Sequence, residues 1–338
     1  MITGDHKDTA YSIAKEVGII TSNSDLVITS DELNTMSDEK VKEIIPKLKV
    51  VARSLPQDKS RLVRLSEELG LVVGMTGDGV NDAPALKKAD VGFSMGSGTE
   101  VAKEASDIVI LDDNFLSISK AILYGRTIFK SIRKFIIFQL TINLCAISLS
   151  IIGPFIGVKT PVTVIQMLWI NMIMDTLAGI AFSYEVPLQE YMKEKPKKKD
   201  ENIMNSYMYG EILFTGIYSA LLCIFFLKNP FIRTFYRMDG SYKCFMTAFF
   251  TLFIFIGIFN SFNARTERLN LFSSLRQNKP FILIILFIIV VQILIIYYGG
   301  SLFRSYGLLL NEFLITILLS FTVIPVDLLR KYYLKRKK

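Results

Sequence analysis

The sequence predicts an α/β domain built on a mostly parallel sheet, followed by an all-α bundle of six transmembrane helices. Three observations predict it. Up to about residue 112, short apolar runs alternate with helical periods. Near residue 134 the composition shifts to long runs rich in Ile, Leu and Phe. Six of those runs approach the roughly 20 apolar residues that a membrane helix needs. The whole chain agrees: 338 residues, 51% hydrophobic with mean hydropathy +0.40, are too apolar for one soluble domain and too polar for a bundle throughout. Length alone suggests about two domains.

In the first third, Val50–Ala52, Leu71–Met75, Val91–Phe93 and Ile108–Leu111 read as strands. Lys59 to Leu69, Pro84 to Ala89 and Thr99 to Ala105 read as helices. Strands crossed over by helices form parallel sheets, whose reactive groups gather beyond the carboxyl ends of the strands. Three pieces fall there. Thr3-Gly4-Asp5 offers a hydroxyl and a backbone amide to a phosphoryl oxygen. Arg53 follows a strand, and Lys59 opens a helix, where an ammonium can neutralise a transferring phosphoryl group. Thr76-Gly77-Asp78-Gly79-Val80-Asn81-Asp82 combines a glycine turn, two carboxylates and an amide, a set suited to Mg²⁺ with water and substrate phosphate. Taken singly, a Thr-Gly-Asp turn or a helix-opening Lys is commonplace. The uninterrupted run TGDGVNDAPALKKADVG is not.

That run resembles the hinge motif of P-type ATPases, members of the haloacid-dehalogenase superfamily with its Rossmann-like fold. MITGDHKDTA and VARSLPQDKSRLV resemble the two preceding motifs of the same phosphorylation domain, in the right order. The resemblance implies Asp78 as a Mg²⁺ ligand and Asn81 and Asp82 as support for metal and phosphate. It implies Lys59 at the phosphoryl group, and Thr3, Gly4, Asp5 and Arg53 around the phosphate and nucleotide of ATP. The family's nucleophile lies in an Asp-Lys-Thr-Gly-Thr run that this sequence does not contain; Asp58-Lys59-Ser60-Arg61 belongs to the Lys motif instead. Because Met1 leads straight into Ile2-Thr3-Gly4-Asp5, the expectation is a fragment or truncated gene, with the N-terminal half of the pump missing.

The six expected spans are 135–155, 162–182, 209–228, 245–263, 281–298 and 309–329, with residues 113–134 as a stalk helix. Asp112-Asp113-Asn114 can cap that helix, and no Pro follows before Pro154. The net charge is +8. Its excess flanks the apolar runs, as in Lys193 to Lys199 and the tail Arg330 to Lys338, which reads as the positive-inside pattern of cytoplasmic loops. The loop between the third and fourth spans fits poorly, since it carries Lys228, Arg233, Arg237 and Lys243. No basic stripe with interleaved aromatics appears, so nucleic acid is not an expected partner. Cys145, Cys223 and Cys244 lack metal-ligand spacing and read as core thiols.

Polar groups at membrane depth mark pathways. Gln139, Asn143, Ala146 and Ser150 share one face of the first span, and Asn171 and Asp175 are four apart on the second. Asn carbonyls with one carboxylate suit Ca²⁺; interhelical hydrogen bonding is the plainer alternative. QMLWINMIMDTLA, QLTINLCA and FNSFNAR resemble helices of plasma-membrane-type calcium pumps. By that resemblance Asn143, Asn171 and Asp175 bind Ca²⁺, one ion is carried per cycle, and the location is the cell membrane with the α/β domain in the cytoplasm. Reticulum-type pumps add a Glu where this chain has Ala146 and another at Gly257, and carry Thr where it has Met174. The tail leaves no room for a calmodulin-binding segment. Two other readings stay open: a pump for another cation such as Mn²⁺, and a non-transporting, phosphatase-like or regulatory remnant.

Overall fold

A computed structural model describes residues 1–158, 160–198, 200–237 and 242–337. The chain divides into an α/β unit, Met1–Leu123 with Met192–Glu201, and a helical unit, Tyr124–Tyr191 with Asn202–Lys338.

The α/β unit runs α1 (Lys7–Glu16), β1 (Leu26–Thr29), α2 (Ser30–Asn34), α3 (Asp38–Ile44), β2 (Leu48–Ala52), α4 (Pro56–Glu68), β3 (Gly74–Gly77), α5 (Ala83–Lys88), β4 (Val91–Met95), α6 (Glu100–Ala105) and β5 (Ile108–Ile110). All its strand pairings are parallel. They form two small sheets, β1-β2 and β3-β4-β5, rather than one. Ile2 bridges Val51 beside the first sheet. Helix α4 serves both cores: Leu62 and Leu65 pack with Ile28 and Val51, while Val63 packs with Met75 and Leu86. Burying each such side chain contributes about 1.5–3 kcal/mol, so the start of α4 is firmly placed.

Two expectations need correction here. Strand β1 was not foreseen. The strand expected from Leu71 begins only at Gly74, with Leu71 and Val72 exposed. Gly70 turns the chain at φ +73°, and the Val73 amide donates to Asp90 Oδ2 at 2.9 Å instead of joining a ladder.

The next helix, α7 (Phe115–Phe155), is continuous for 41 residues, about 60 Å at 1.5 Å per residue. It contains the residues expected for the stalk and the first span. The second span is α8 (Val164–Leu168), a π-helical turn (Trp169–Met174) and α9 (Asp175–Ser183). Then come α10 (Ser206–Lys228), short α11 (Pro230–Arg233), α12 (Lys243–Arg265), α13 (Lys279–Tyr298), short α14 (Gly300–Phe303), α15 (Leu310–Phe321) and α16 (Val323–Lys337). Among the described residues, six helices are long and apolar enough to cross a membrane. The fourth, α12, lies at the centre, with 83% of its apolar window buried against at most 50% for the others.

Charges expected to flank the bundle turn out to be built into it. Arg330 and Lys331, read from sequence as the start of a basic tail flanking the last span, are buried in α16. Arg330 meets Glu211 at 2.8 Å and Asp327 at 2.7 Å. Lys331 meets Asp327 at 2.8 Å and donates to Asn263 O at 2.7 Å. A second network joins Lys134 to Glu185 at 2.6 Å, with Asn278 donating to Glu185 at 3.0 Å and Arg265 alongside at 3.4 Å. The ill-fitting loop between the third and fourth spans is explained in part by a third. Arg237 grips buried Glu312 through Nε and Nη2, each at 3.0 Å, so this cation is neutralised where it stands.

Candidate functional site

The phosphoryl-site candidates cluster around the end of β3 and the start of α4. Pro56 opens α4, and Asp58 caps it by accepting from the Leu55 amide at 2.8 Å. The Asp58 carboxylate is also bound by Ser30 at 2.6 Å and Asn34 at 3.2 Å. Asp58 is therefore a buried structural carboxylate, consistent with assigning it to the Lys motif. One residue on, Lys59 Nζ meets Asp82 Oδ1 at 2.5 Å.

Asp82 uses its other oxygen to organise the loop: the amides of Asp78 and Gly79 each donate to Oδ2 at 3.3 Å. A side chain at position 77 would lie 2.4 Å from Asp82 Cβ, so only glycine fits there. The Asp78 carbonyl accepts from the Thr99 amide at 2.8 Å, tying the loop to the start of α6. These contacts fix the backbone and leave the Asp78 carboxylate and the Asn81 amide exposed, next to an ammonium. An exposed carboxylate and amide beside a fixed Lys fit Mg²⁺, which takes few protein ligands and completes its shell with water and phosphate oxygens. Among the described residues, three or more acidic, His or Cys side chains do not gather into a larger metal cage.

Thr3, Gly4, Asp5 and Arg53 form an adjoining turn. Thr3 Oγ1 donates to Asp5 Oδ2 at 2.7 Å, the Arg53 amide donates to Asp5 O at 3.0 Å, and the Ser54 amide donates to Thr3 O at 2.9 Å. Arg53 itself has φ +50°, a left-handed conformation costly for a non-glycine residue. Strain of this kind gathers at ligand sites. The two motifs read separately from sequence are thus held side by side by backbone bonds. Nothing within 4 Å would obstruct a side chain at Gly4, so its need for glycine does not come from protein packing.

In the helical unit, Asp175 is 2% exposed at the junction of the π-helical turn and α9, and neither carboxylate oxygen has a hydrogen-bond partner. Gln139 on α7 is the polar side chain beside it, without a hydrogen bond of ordinary geometry. Asn143 is half-buried on α7. Asn171, four residues before Asp175, is exposed. It lies within the π turn, a local change of helical step that apolar periodicity does not reveal and that is common at functional sites. Ser150 spends its hydroxyl on Ala146 O at 2.9 Å.

The surroundings of Gly257 matter for ion number. A Cβ there would lie 3.4 Å from both Ile142 Cδ1 and Met174 Cε. Helices α7, α12 and the π turn therefore meet through apolar groups at this point. Sequence reasoning missed the buried Asn260 and Gln292, whose amide atoms have no partners. Asn260 lies within the quoted FNSFNAR run, while the signal for Gln292 was polarity inside an apolar run.

Comparison with known proteins bears on all of this. The family described as "Cation transporting ATPase, C-terminus" matches residues 159–333, and "haloacid dehalogenase-like hydrolase" families match residues 1–90 and 72–122. Calcium-transporting ATPase 2 of Schizosaccharomyces pombe is 42% identical over 310 residues, 90% of this chain and 24% of that protein. Putative calcium-transporting ATPase 13, plasma membrane-type, of Arabidopsis thaliana is 41% identical over 88% of this chain and 29% of its own length. Plasma membrane calcium-transporting ATPase 4 of Bos taurus is 39% identical over 92% of this chain and 28% of its own length. The chain spans 24–32% of the length of these and similar curated relatives.

Proposed function

We propose, from the premise that the chain belongs to the cation-transporting ATPase family, that it forms part of a pump driving Ca²⁺ out of the cytoplasm with ATP. The observation that carries this reading is Asp175, a carboxylate buried in an apolar helix with both oxygens unpartnered. A bare charge at such depth is costly, and ion binding removes the cost. A hard oxygen donor suits Ca²⁺. The relatives' calcium-transporting names support the choice of ion.

In this reading Asn143 and Asn171 add amide oxygens when neighbouring helices close over the exposed face. The apolar contact among Gly257, Ile142 and Met174 supports a single Ca²⁺ per cycle, since a second ion would find methyl and thioether groups there. At the phosphoryl site Lys59 would neutralise transferring charge, while Asp82 holds both the ammonium and the loop. Asp78, with Asn81 in support, would hold Mg²⁺, which would supply charge screening for the phosphate oxygens of ATP. Thr3, Gly4, Asp5 and Arg53 would contact phosphate and nucleotide. The acceptor carboxylate would come from a part of the pump outside these 338 residues. The α/β unit would face the cytoplasm, and α7 would carry its movements toward Asn143.

The reading is tested by measuring ⁴⁵Ca²⁺ uptake into vesicles holding the protein made from the complete reading frame. ATP-driven uptake abolished by Asp78→Asn supports it. Uptake that ignores ATP or survives that substitution undoes it.

A further inference from the structure

We propose that Lys134 and Glu185 form a latch that holds α7 against the second span and so keeps the ion site around Asp175 assembled. The inference rests on the ion reading above and gives it two positioning residues. Lys134 Nζ meets Glu185 Oε2 at 2.6 Å, with both side chains largely buried. Lys134 lies on α7, five residues before Gln139 and nine before Asn143. Glu185 lies two residues beyond the end of α9 and ten after Asp175.

From this pair the two spans stay in contact down to the site. Gly179 lies against the Phe135 ring, and the rings of Phe138 and Phe182 meet at 5.8 Å. Gln139 stands beside Asp175, and Ile142 and Met174 flank Gly257. The ring and methyl contacts are apolar and non-directional, so they tolerate sliding. A charge-assisted hydrogen bond does not, because its strength depends on distance and angle. The Lys134–Glu185 pair therefore sets how far α7 sits along the second span. With that it sets the approach of Gln139 and Asn143 to Asp175.

Glu185 is also built to release Lys134. Its other oxygen accepts from Asn278, the N-cap of α13, at 3.0 Å and has Arg265 Nη1 at 3.4 Å. Arg265, the last residue of α12, is fixed by donating Nη2 to Leu271 O at 2.8 Å and to Ser273 O, and it stands over the Phe281 ring. These partners belong to α12 and α13, so they stay with the carboxylate when α7 shifts. Stranding a buried charge is costly. Glu185 keeps a cation when Lys134 leaves, and the long stem of Lys134 lets its ammonium reach toward water. The joint thus has two discrete arrangements, which is what carries coupling between distant sites. Closed, it holds the ligands of α7 against Asp175; open, it lets them draw away and the cation leave.

The test uses the protein from the complete reading frame, purified in lipid. In Lys134→Met the apparent Ca²⁺ affinity of phosphorylation from ATP is expected to weaken about fivefold or more, the scale of coupling between sites. The maximal phosphoenzyme level and the midpoint of thermal unfolding should be kept. Lys134→Arg, which returns the charge, should recover the wild-type titration. In Lys134→Cys/Glu185→Cys, joining the two thiols with a bis-methanethiosulfonate should stop ATP hydrolysis until the link is reduced, while either single variant treated alike keeps turning over. The proposal is overturned by an unshifted titration in Lys134→Met, by an equal shift in Lys134→Arg, or by normal turnover of the linked protein. It is equally overturned if the Lys134→Met shift comes only with a lower unfolding midpoint, which marks a purely structural pair. Wild-type phosphorylation that ignores Ca²⁺ undoes the ion reading instead, and the linked protein, read by ATP hydrolysis, still decides on the latch.

Discussion

Asp175 and Asp327 are both buried carboxylates in the helical unit, and their surroundings are opposites. Asp327 has Arg330 at 2.7 Å on one oxygen and Lys331 at 2.8 Å on the other. Asp175 has no hydrogen-bond partner on either. At Asp327 the counter-charges come from the next turn of the same helix, and one of them, Arg330, also reaches Glu211 on a neighbouring helix. Where the chain leaves a carboxylate bare, as at Asp175, an ion is the partner proposed for it. Burial alone therefore does not separate the two carboxylates; the state of their oxygens does.

Removing each group should give opposite results. Asp327→Ala takes away the carboxylate partner of buried Lys331 and leaves Arg330 with Glu211, and should lower stability by about 3–5 kcal/mol, read as a depressed midpoint of thermal unfolding in detergent. Asp175→Asn removes an unmatched charge, so unfolding should occur at the wild-type temperature or above it. A large drop in Asp175→Asn would place that residue with the structural charges.

Helix α7 offers the next way to sharpen the contrast, because it carries both Lys134 of a matched network and Asn143 of the proposed ion site. Ile128→Pro, at a position exposed in the helix interior, should cost about 3 kcal/mol of local helix stability through the lost hydrogen bond and ring clash. In the complete pump, ATP hydrolysis should persist while transport is lost. Transport at normal stoichiometry would show that the unbroken helix is not the coupling element.

The same question can be put to the α/β unit, where Lys59 and Asp82 pair. Lys59→Met should reduce phosphoenzyme formation about a hundredfold, the scale of losing one charge-stabilising donor. Binding of ATP should change far less. Equal loss of both would make Lys59 a folding residue.

The smallest effect belongs to Asp38. The Arg64 guanidinium, and then that of Arg61, holds its carboxyl below the usual carboxylate range. A lowered folded value means the pair stabilises above the unfolded value of about 3.9 and fades as pH falls through the folded one. Asp38→Asn should flatten the acid limb of the unfolding profile slightly, as exposed ion pairs are worth little. An unchanged acid limb would show the pairs make no net contribution.

Much of the α/β site was legible because its motifs are contiguous: TGDGVNDAP carries the turn glycine, the loop-capping Asp82 and the exposed Asp78 within nine residues. The sequence placed Lys59 and Asp82 separately at the phosphoryl site; that they pair, at 2.5 Å, is visible only in the structure. Other features were hidden for physical reasons. Arg330 and Lys331 read as part of a basic flanking tail because one counter-charge, Glu211, lies over a hundred residues away in sequence. The exposure of Asn171 was hidden because it lies in a π turn, which apolar spacing cannot register. Strand β1 is four residues long and half-buried, too short to show a period.

The central claim, that Asp175 is bare because a calcium ion completes it, is tested most directly by phosphorylation from ATP. The protein from the complete reading frame would be purified in lipid and titrated with Ca²⁺, with Asp175→Asn alongside. The account predicts a calcium-dependent phosphoenzyme in the wild type and a loss of about two orders of magnitude in apparent Ca²⁺ affinity in the variant, as removing a ligand charge implies. Phosphoenzyme formed without regard to Ca²⁺, or an unshifted titration in Asp175→Asn, would contradict it.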